Sequence, residues 1–150
     1  MLQPTTITWI IVANAEHCRA LEERRRGGLL RELEAWDCRQ TEQDRRHAHS
    51  EPAVGGQRFG FGQSVVNARD FEAQAEQRFL ARYARQLELA RIKGSYEHLV
   101  LIASPAALGV LREQLSRPME RCLERAAACD CVGETPEALR RRVRALRAPP

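Results

Sequence analysis

His47 and His49 stand two residues apart beside Asp44, a pattern able to relay a proton or share a metal ion, but in so polar a stretch they are read as a solvated connection. The five cysteines, Cys18, Cys38, Cys122, Cys129 and Cys131, form no CxxC pair, and their odd number is read as reduced thiols rather than a disulfide framework. Zinc accepts mixed cysteine and histidine ligands, so Cys122, Cys129 and Cys131 with one of the histidines are a candidate set. Their spacing matches no recognised pattern; no metal site is assigned and no cofactor is expected. A cysteine nucleophile needs a nearby base or helix N-terminus. His17 adjoins Cys18, but neighbours along a strand point to opposite faces. The glycine-rich "GQRFGFG" follows no predicted strand and has neither the G-x-x-x-x-G-K-[ST] nor the G-x-G-x-x-G order, so it is not assigned as a phosphate cradle.

Charge offers a second kind of chemistry. The formal net charge is +4 and the pI near 9.1, and Lys93 is the only lysine. The positive excess is concentrated in "LRRRVRALR" at 139–147, where Arg140, Arg141, Arg142, Arg144 and Arg147 surround a narrow stripe of Leu139, Val143 and Leu146. That segment is the candidate phosphate-facing surface, with a solvated helix face as the alternative. Phe71, Phe79 and Tyr83 could stack on bases, but their helical spacing is that of a core stripe. Trp9 and Trp36 are likewise read as core or sheet-covering residues.

These groups have to be positioned by one domain spanning 1–150, since a chain of 150 residues can bury a core without metals or disulfides. The longest apolar runs, "ITWIIVA" at 7–13 and "LVLIA" at 99–103, are far shorter than the ~20 residues a membrane-spanning helix requires. No membrane insertion is expected. "MLQPTT" has no basic region and the apolar stretch after it no small-residue cleavage site, so the expected compartment is the cytoplasm.

The run at 6–14 is continuously apolar and β-branched, as in a central strand covered on both faces. "HCRALEE" at 17–23 is its hairpin partner across a turn at 14–16, with Cys18, Ala20 and Glu22 on one side. Residues 29–38 fit a helix through Leu29, Leu33 and Trp36, or an edge strand, which is preferred. From about 39 to 67 the chain is polar and glycine-rich and is expected to form a long loop. Phe71, Ala75, Phe79, Tyr83, Leu87 and Ala90 then recur at helical spacing, predicting a helix from about 68 to 93 with Asp70 at its start and Gly94 at its stop. "EHLVLIAS" is a second buried strand. Ser104–Pro105 and Thr135–Pro136 each pair a capping residue with an N1 proline and open two further helices, 105–115 and 136–147. Residues 121–132 read as a helix running into a third strand. Ile10, Val12, Val100 and Ile102 are placed at the sheet centre. The class is α/β, one sheet covered by helices.

Three stretches resemble the bacterial host attachment family, "protein required for attachment to host cells". "TWIIVANAEHCRAL" at 8–21 is similar to its opening strand and hairpin. "EQRFLARYARQLELARIKGSYEHLVLIASPAALGVLR" at 76–112 is similar to its long helix, buried strand and proline-leucine-glycine turn, and "TPEALRRRV" at 135–143 to its closing helix. The resemblance implies a ribonuclease H-like mixed sheet flanked by helices, related to the middle domain of archaeal and eukaryotic release factors, and an association with RNA or the ribosome. It also gives meaning to Gly55, Gly56 and Gln57 in "EPAVGGQRFGFGQSV" at 51–65. In release factors such a triplet reaches the ester bond of peptidyl-tRNA: bare glycines allow close backbone approach, glutamine organises water, and a backbone N–H stabilises the developing charge. Here Arg58, Phe59 and Gly60 do not continue with the small and basic residues usual after that motif, and there is no separate domain for reading a stop codon. The triplet is therefore read as a loop and the protein as a non-catalytic RNA- or translation-associated module, with Arg58 and the closing-helix arginines facing nucleic acid. An ester hydrolase acting on peptidyl-tRNA is the alternative.

Overall fold

Two strands of continuous apolar sequence lie side by side at the middle of the sheet. β1 (Thr8–Ala13) and β5 (His98–Ala103) run parallel, with Ile10 opposite Val100 and Val12 opposite Ile102. The computed structural model describes residues 6–46 and 63–150. Within them, β2 (His17–Glu23) pairs antiparallel with β1, while β3 (Leu30–Glu32) and β4 (Cys38–Arg39) pair antiparallel with β2. β6 (Leu123–Ala128) adds parallel to β5. The result is a six-stranded mixed sheet ordered β3-β2-β1-β5-β6, with β4 also beside β2. The turn between β1 and β2 is held by Asn14, whose Oδ1 accepts from the backbone N–H of Glu16 and of His17, each at 2.9 Å.

Strand side chains alternate between faces, and here both faces are apolar. Trp9, Ile11 and Ala13 join Leu99, Leu101 and Ala103 on one side. The helices α1 (Gln63–Ile92), α2 (Pro105–Gln114) and α3 (Arg117–Cys122) cover that side through Phe79, Leu80, Tyr83, Leu87, Leu111 and Met119. Ile10, Val12, Val100 and Ile102 face the other side, where α4 (Pro136–Arg147) lays Leu139 and Val143 over them. All four sheet-centre residues are at most 1% exposed, as the sequence pattern predicts.

Aromatic rings fasten the edge segment to α1. Trp36 meets Trp9 and Tyr83 edge-on, with ring centroids 4.8 and 5.7 Å apart, and the Tyr83 hydroxyl donates to the Trp36 carbonyl at 2.8 Å. Burial pushes the Tyr83 phenol well above its ordinary value, which suits a hydroxyl serving only as a donor.

Three expected boundaries are corrected. Residues 29–38 are not one strand: β3 ends at Glu32, a 3-10 turn occupies Glu34–Trp36, and β4 resumes at Cys38. The turn seats Trp36 in the aromatic cluster, a tertiary contact that neither periodicity describes. Residues 42–46 are helical, so the expected loop does not begin at 39. Finally, α1 starts at Gln63, and Asp70 lies inside it rather than at its cap. No proline or glycine interrupts 63–70, so helix can continue ahead of the first favourable carboxylate. The stop is as expected: Gly94 adopts φ +80°, and the amides of Gly94 and Ser95 close back on the carbonyls of Arg91 and Ala90, each at 2.9 Å.

Leu101 is fully buried under the helices of the first face. Leu101→Ala should lower stability by about 2–5 kcal/mol through lost burial and the cavity left behind. Urea unfolding should show a reduced midpoint with an unchanged slope.

Candidate functional site

The closing helix is specified locally and then oriented by what it covers. Thr135 Oγ1 accepts from the Ala138 amide at 3.1 Å, Pro136 opens the first turn with Glu137, and Arg144 and Arg147 occupy the last turn, where cations favour the helix dipole. With Leu139 and Val143 turned to the sheet, the arginines between them are distributed outward and to the flanks, and their environments differ sharply.

Arg147 is not a free phosphate contact. Its side chain is 9% exposed, and its guanidinium is clamped between the carboxylates of Glu23, at 2.7 and 2.8 Å, and Glu124, at 2.9 and 3.1 Å. This ties α4 to the end of β2 and the start of β6. Burial pushes the Glu124 carboxyl up, but hydrogen bonds from Arg147 and Arg26 outweigh it and hold the group below the ordinary carboxylate value. Arg142 is taken by a two-pronged pair with Glu134 at 2.6 and 2.7 Å. Arg140 donates to the Gly27 carbonyl at 2.9 and 3.2 Å, and Arg141 stands 4.0 Å from Glu137. Arg144 is exposed and has no ion pair among the described residues.

Gly27 belongs to the β2–β3 turn, "RRRGG" at 24–28, which sequence reasoning did not single out. The turn needs a glycine at 27, where φ is +81°, and Glu23 Oε2 accepts the Gly27 amide at 3.0 Å. Arg24 and Arg26 pair with Glu22 and Glu124, each at 2.9 Å, yet remain 68% and 64% exposed, and Arg25 is exposed without a charged partner among the described residues. The fold thus joins two arginine runs more than a hundred positions apart around a shallow cleft of about 290 Å³ lined by Arg26, Arg140, Arg144 and Arg147. The available signal was a like-charged run at a glycine turn; its neighbour could not be read without the topology.

The remaining candidates are dispersed. Gly55, Gly56, Gln57 and Arg58, with His47 and His49, lie outside the described residues. Asp44 is a structural carboxylate, accepting from Arg82 at 2.6 Å and from the Thr41 amide at 2.8 Å. It lines a polar groove of about 750 Å³ with Gln74, Gln77, Arg82 and Arg85. Cys122 packs against the first core and Cys129 and Cys131 against the second, so the three thiols do not meet at one point. Among the described residues no group of three or more histidine, cysteine or acidic side chains converges as a metal site. His17 bonds Asp37 at 3.0 Å, while Cys18 is buried in the first core and its thiol is pushed far up by burial, which removes it as a nucleophile. Phe79 and Tyr83 are core residues, Trp9 is buried, and Trp36 is half-buried against it. Among the described residues no helix is long and apolar enough to cross a membrane.

Fold and surface define a single compact α/β domain with a mixed sheet and an arginine-rich face. The family model "Protein required for attachment to host cells" matches residues 9–143, nearly the full chain, and the protein belongs to that family. No curated protein matches the sequence.

Breaking the buried ion cluster should be costly, because its remaining members stay desolvated. Glu23→Gln should lower stability by about 3–5 kcal/mol in urea unfolding. The depressed Glu124 carboxyl contributes stability that is present above its unfolded value and is lost as pH falls through its lower folded value. Unfolding midpoints measured from neutral to acidic pH should therefore drop below the ordinary carboxylate range, and Glu124→Gln should flatten that drop.

Proposed function

We propose that the protein is a non-catalytic RNA-binding module associated with the translation machinery, and that its RNA contact is the surface shared by the β2–β3 turn and α4. One observation carries the proposal: arginines from two remote segments, Arg26 with Arg140 and Arg144, line one cleft, with Arg25 exposed on the same turn as Arg26 and Arg141 exposed on the same helix as Arg140. Their scaffold carboxylates do not neutralise all of them, Arg25 and Arg144 being without an ion pair among the described residues. A flexible phosphate chain can reach such a surface by side-chain movement alone. Arg142 and Arg147 serve as anchors, and the turn supplies the cations that replace them. The translation association draws on the release-factor resemblance, and the order β3-β2-β1-β5-β6, antiparallel on one side of β1 and parallel on the other, supports a ribonuclease H-like sheet.

The test is fluorescence anisotropy with single-stranded and hairpin RNA over a salt series, together with ribosome co-sedimentation. Binding should weaken steeply with salt. Arg25→Gln with Arg144→Gln should reduce affinity and lower the log–log slope by about 0.7 for each single-strand phosphate contact removed. Arg112→Gln, at an exposed arginine on the opposite side of the sheet, should leave both unchanged. An equal, negligible anisotropy change for wild type and double variant at low salt would refute the proposal.

A further inference from the structure

The segment that leaves β6 holds two thiols in contact. Cys129 and Cys131 are separated by Asp130, and both side chains pack on the second core. Their sulfurs lie 2.8 Å apart. A disulfide bond is about 2.05 Å long, so joining them requires an approach of about three quarters of an ångström. The surrounding backbone is fixed. The Cys129 amide donates to the Ala103 carbonyl at 2.7 Å, Glu134 closes a turn onto the Cys131 carbonyl at 3.0 Å, and both oxygens of Asp130 accept from Asn14 Nδ2 at 3.3 Å. Arg19 crosses from β2 to hold the carbonyls of Val132 and Glu134 at 2.8 and 2.7 Å. The thiols are therefore brought together by a built segment rather than by chance collision.

We infer that Cys129 and Cys131 form a reversible dithiol/disulfide site that exchanges with small-molecule disulfides of the glutathione class. The two sulfurs differ in access in the way exchange requires. Cys129 is half-exposed, whereas Cys131 is 1% exposed and sits in the second core with Leu139 and Val143. Burial and the hydrogen bond to Cys129 push the Cys131 thiol up to about 12, so it is the poorer attacking group. The Cys129 thiolate attacks one sulfur of glutathione disulfide, forming a mixed disulfide and releasing one glutathione thiolate. Cys131 then loses its proton to solvent, and its sulfur displaces the glutathione bound to Cys129. The second glutathione leaves and is protonated. The cysteine pair is oxidised by two electrons and one glutathione disulfide is reduced to two thiols. The site is independent of RNA binding.

The experiment equilibrates the full chain in glutathione buffers of increasing oxidised fraction, quenches in acid, alkylates with a maleimide under denaturing conditions and measures intact and tryptic masses. Two of the five thiols should become protected. The loss should map to the tryptic peptide 126–140, which contains both cysteines and should appear two hydrogens lighter than its reduced form. Dithiothreitol should restore both thiols. Cys131→Ser should halt at a glutathione adduct on Cys129, and Cys129→Ser should leave Cys131 unmodified. If peptide 126–140 takes two maleimides at every ratio, or if protection instead falls on Cys18 and Cys38, which face each other across β2 and β4, the inference is wrong.

Discussion

A parallel pair of strands has to be covered on both faces, and that constraint organises this molecule. β1 and β5 meet in parallel register at the sheet centre, and the connection between them must cross over one face. α1 belongs to that crossover and brings Phe79, Leu80, Tyr83 and Leu87 onto the first face. α2 and α3, between β5 and β6, pack there too. This leaves Ile10, Val12, Val100 and Ile102 uncovered on the second face until α4 closes it with Leu139 and Val143. The arginine helix is thus where it is because an apolar surface needed a lid, and its charged flanks are the remainder of that requirement.

The arginines around α4 divide into those that hold the structure and those left to solvent. Arg147 is desolvated, and its attraction to Glu23 and Glu124 offsets the cost of burying three charges only because both carboxylates are met by short, multiple hydrogen bonds. Such a cluster is a specificity device more than a source of net stability. It determines how the C-terminal end of α4 meets both β2 and β6. Arg140 performs the equivalent task at the turn through the Gly27 carbonyl, so two arginine contacts set the turn against the helix. Arg26, Arg140 and Arg144 then line one cleft.

The other end of the sheet, where β1, β5 and β6 finish, is organised by polar contacts instead. Asn14, at the end of β1, reaches Asp130 just beyond β6, and Arg19 spans from β2 to the carbonyls ahead of α4. Carboxyl-terminal strand ends are where α/β sheets commonly place reactive groups. Here they hold Cys129 against Cys131. The arginine-lined cleft and the thiol pair therefore lie at separate places, linked through α4, whose first residues follow the cysteine segment.

The central strands, the hairpin, the capped helices at 105 and 136 and the covering of both sheet faces were legible in the sequence, because each depends on local signals: continuous apolar runs, an Asn-containing turn, and Ser-Pro and Thr-Pro pairs. Residues 29–38 were not, since Trp36 takes its conformation from Trp9 and Tyr83, remote in sequence. The start of α1 was not, because a favourable carboxylate at Asp70 marks a possible helix beginning without preventing an earlier one. For the surface, sequence alone determined that arginines would flank an apolar stripe at 139–147. Only the tertiary structure decided that Arg147 and Arg142 would be consumed by Glu23, Glu124 and Glu134, and that Arg26 of the turn would join Arg140 and Arg144. The physical reason is range: side-chain periodicity and capping act within a few residues, whereas the partner of a charge is settled by which strands and helices the whole fold brings within hydrogen-bonding distance.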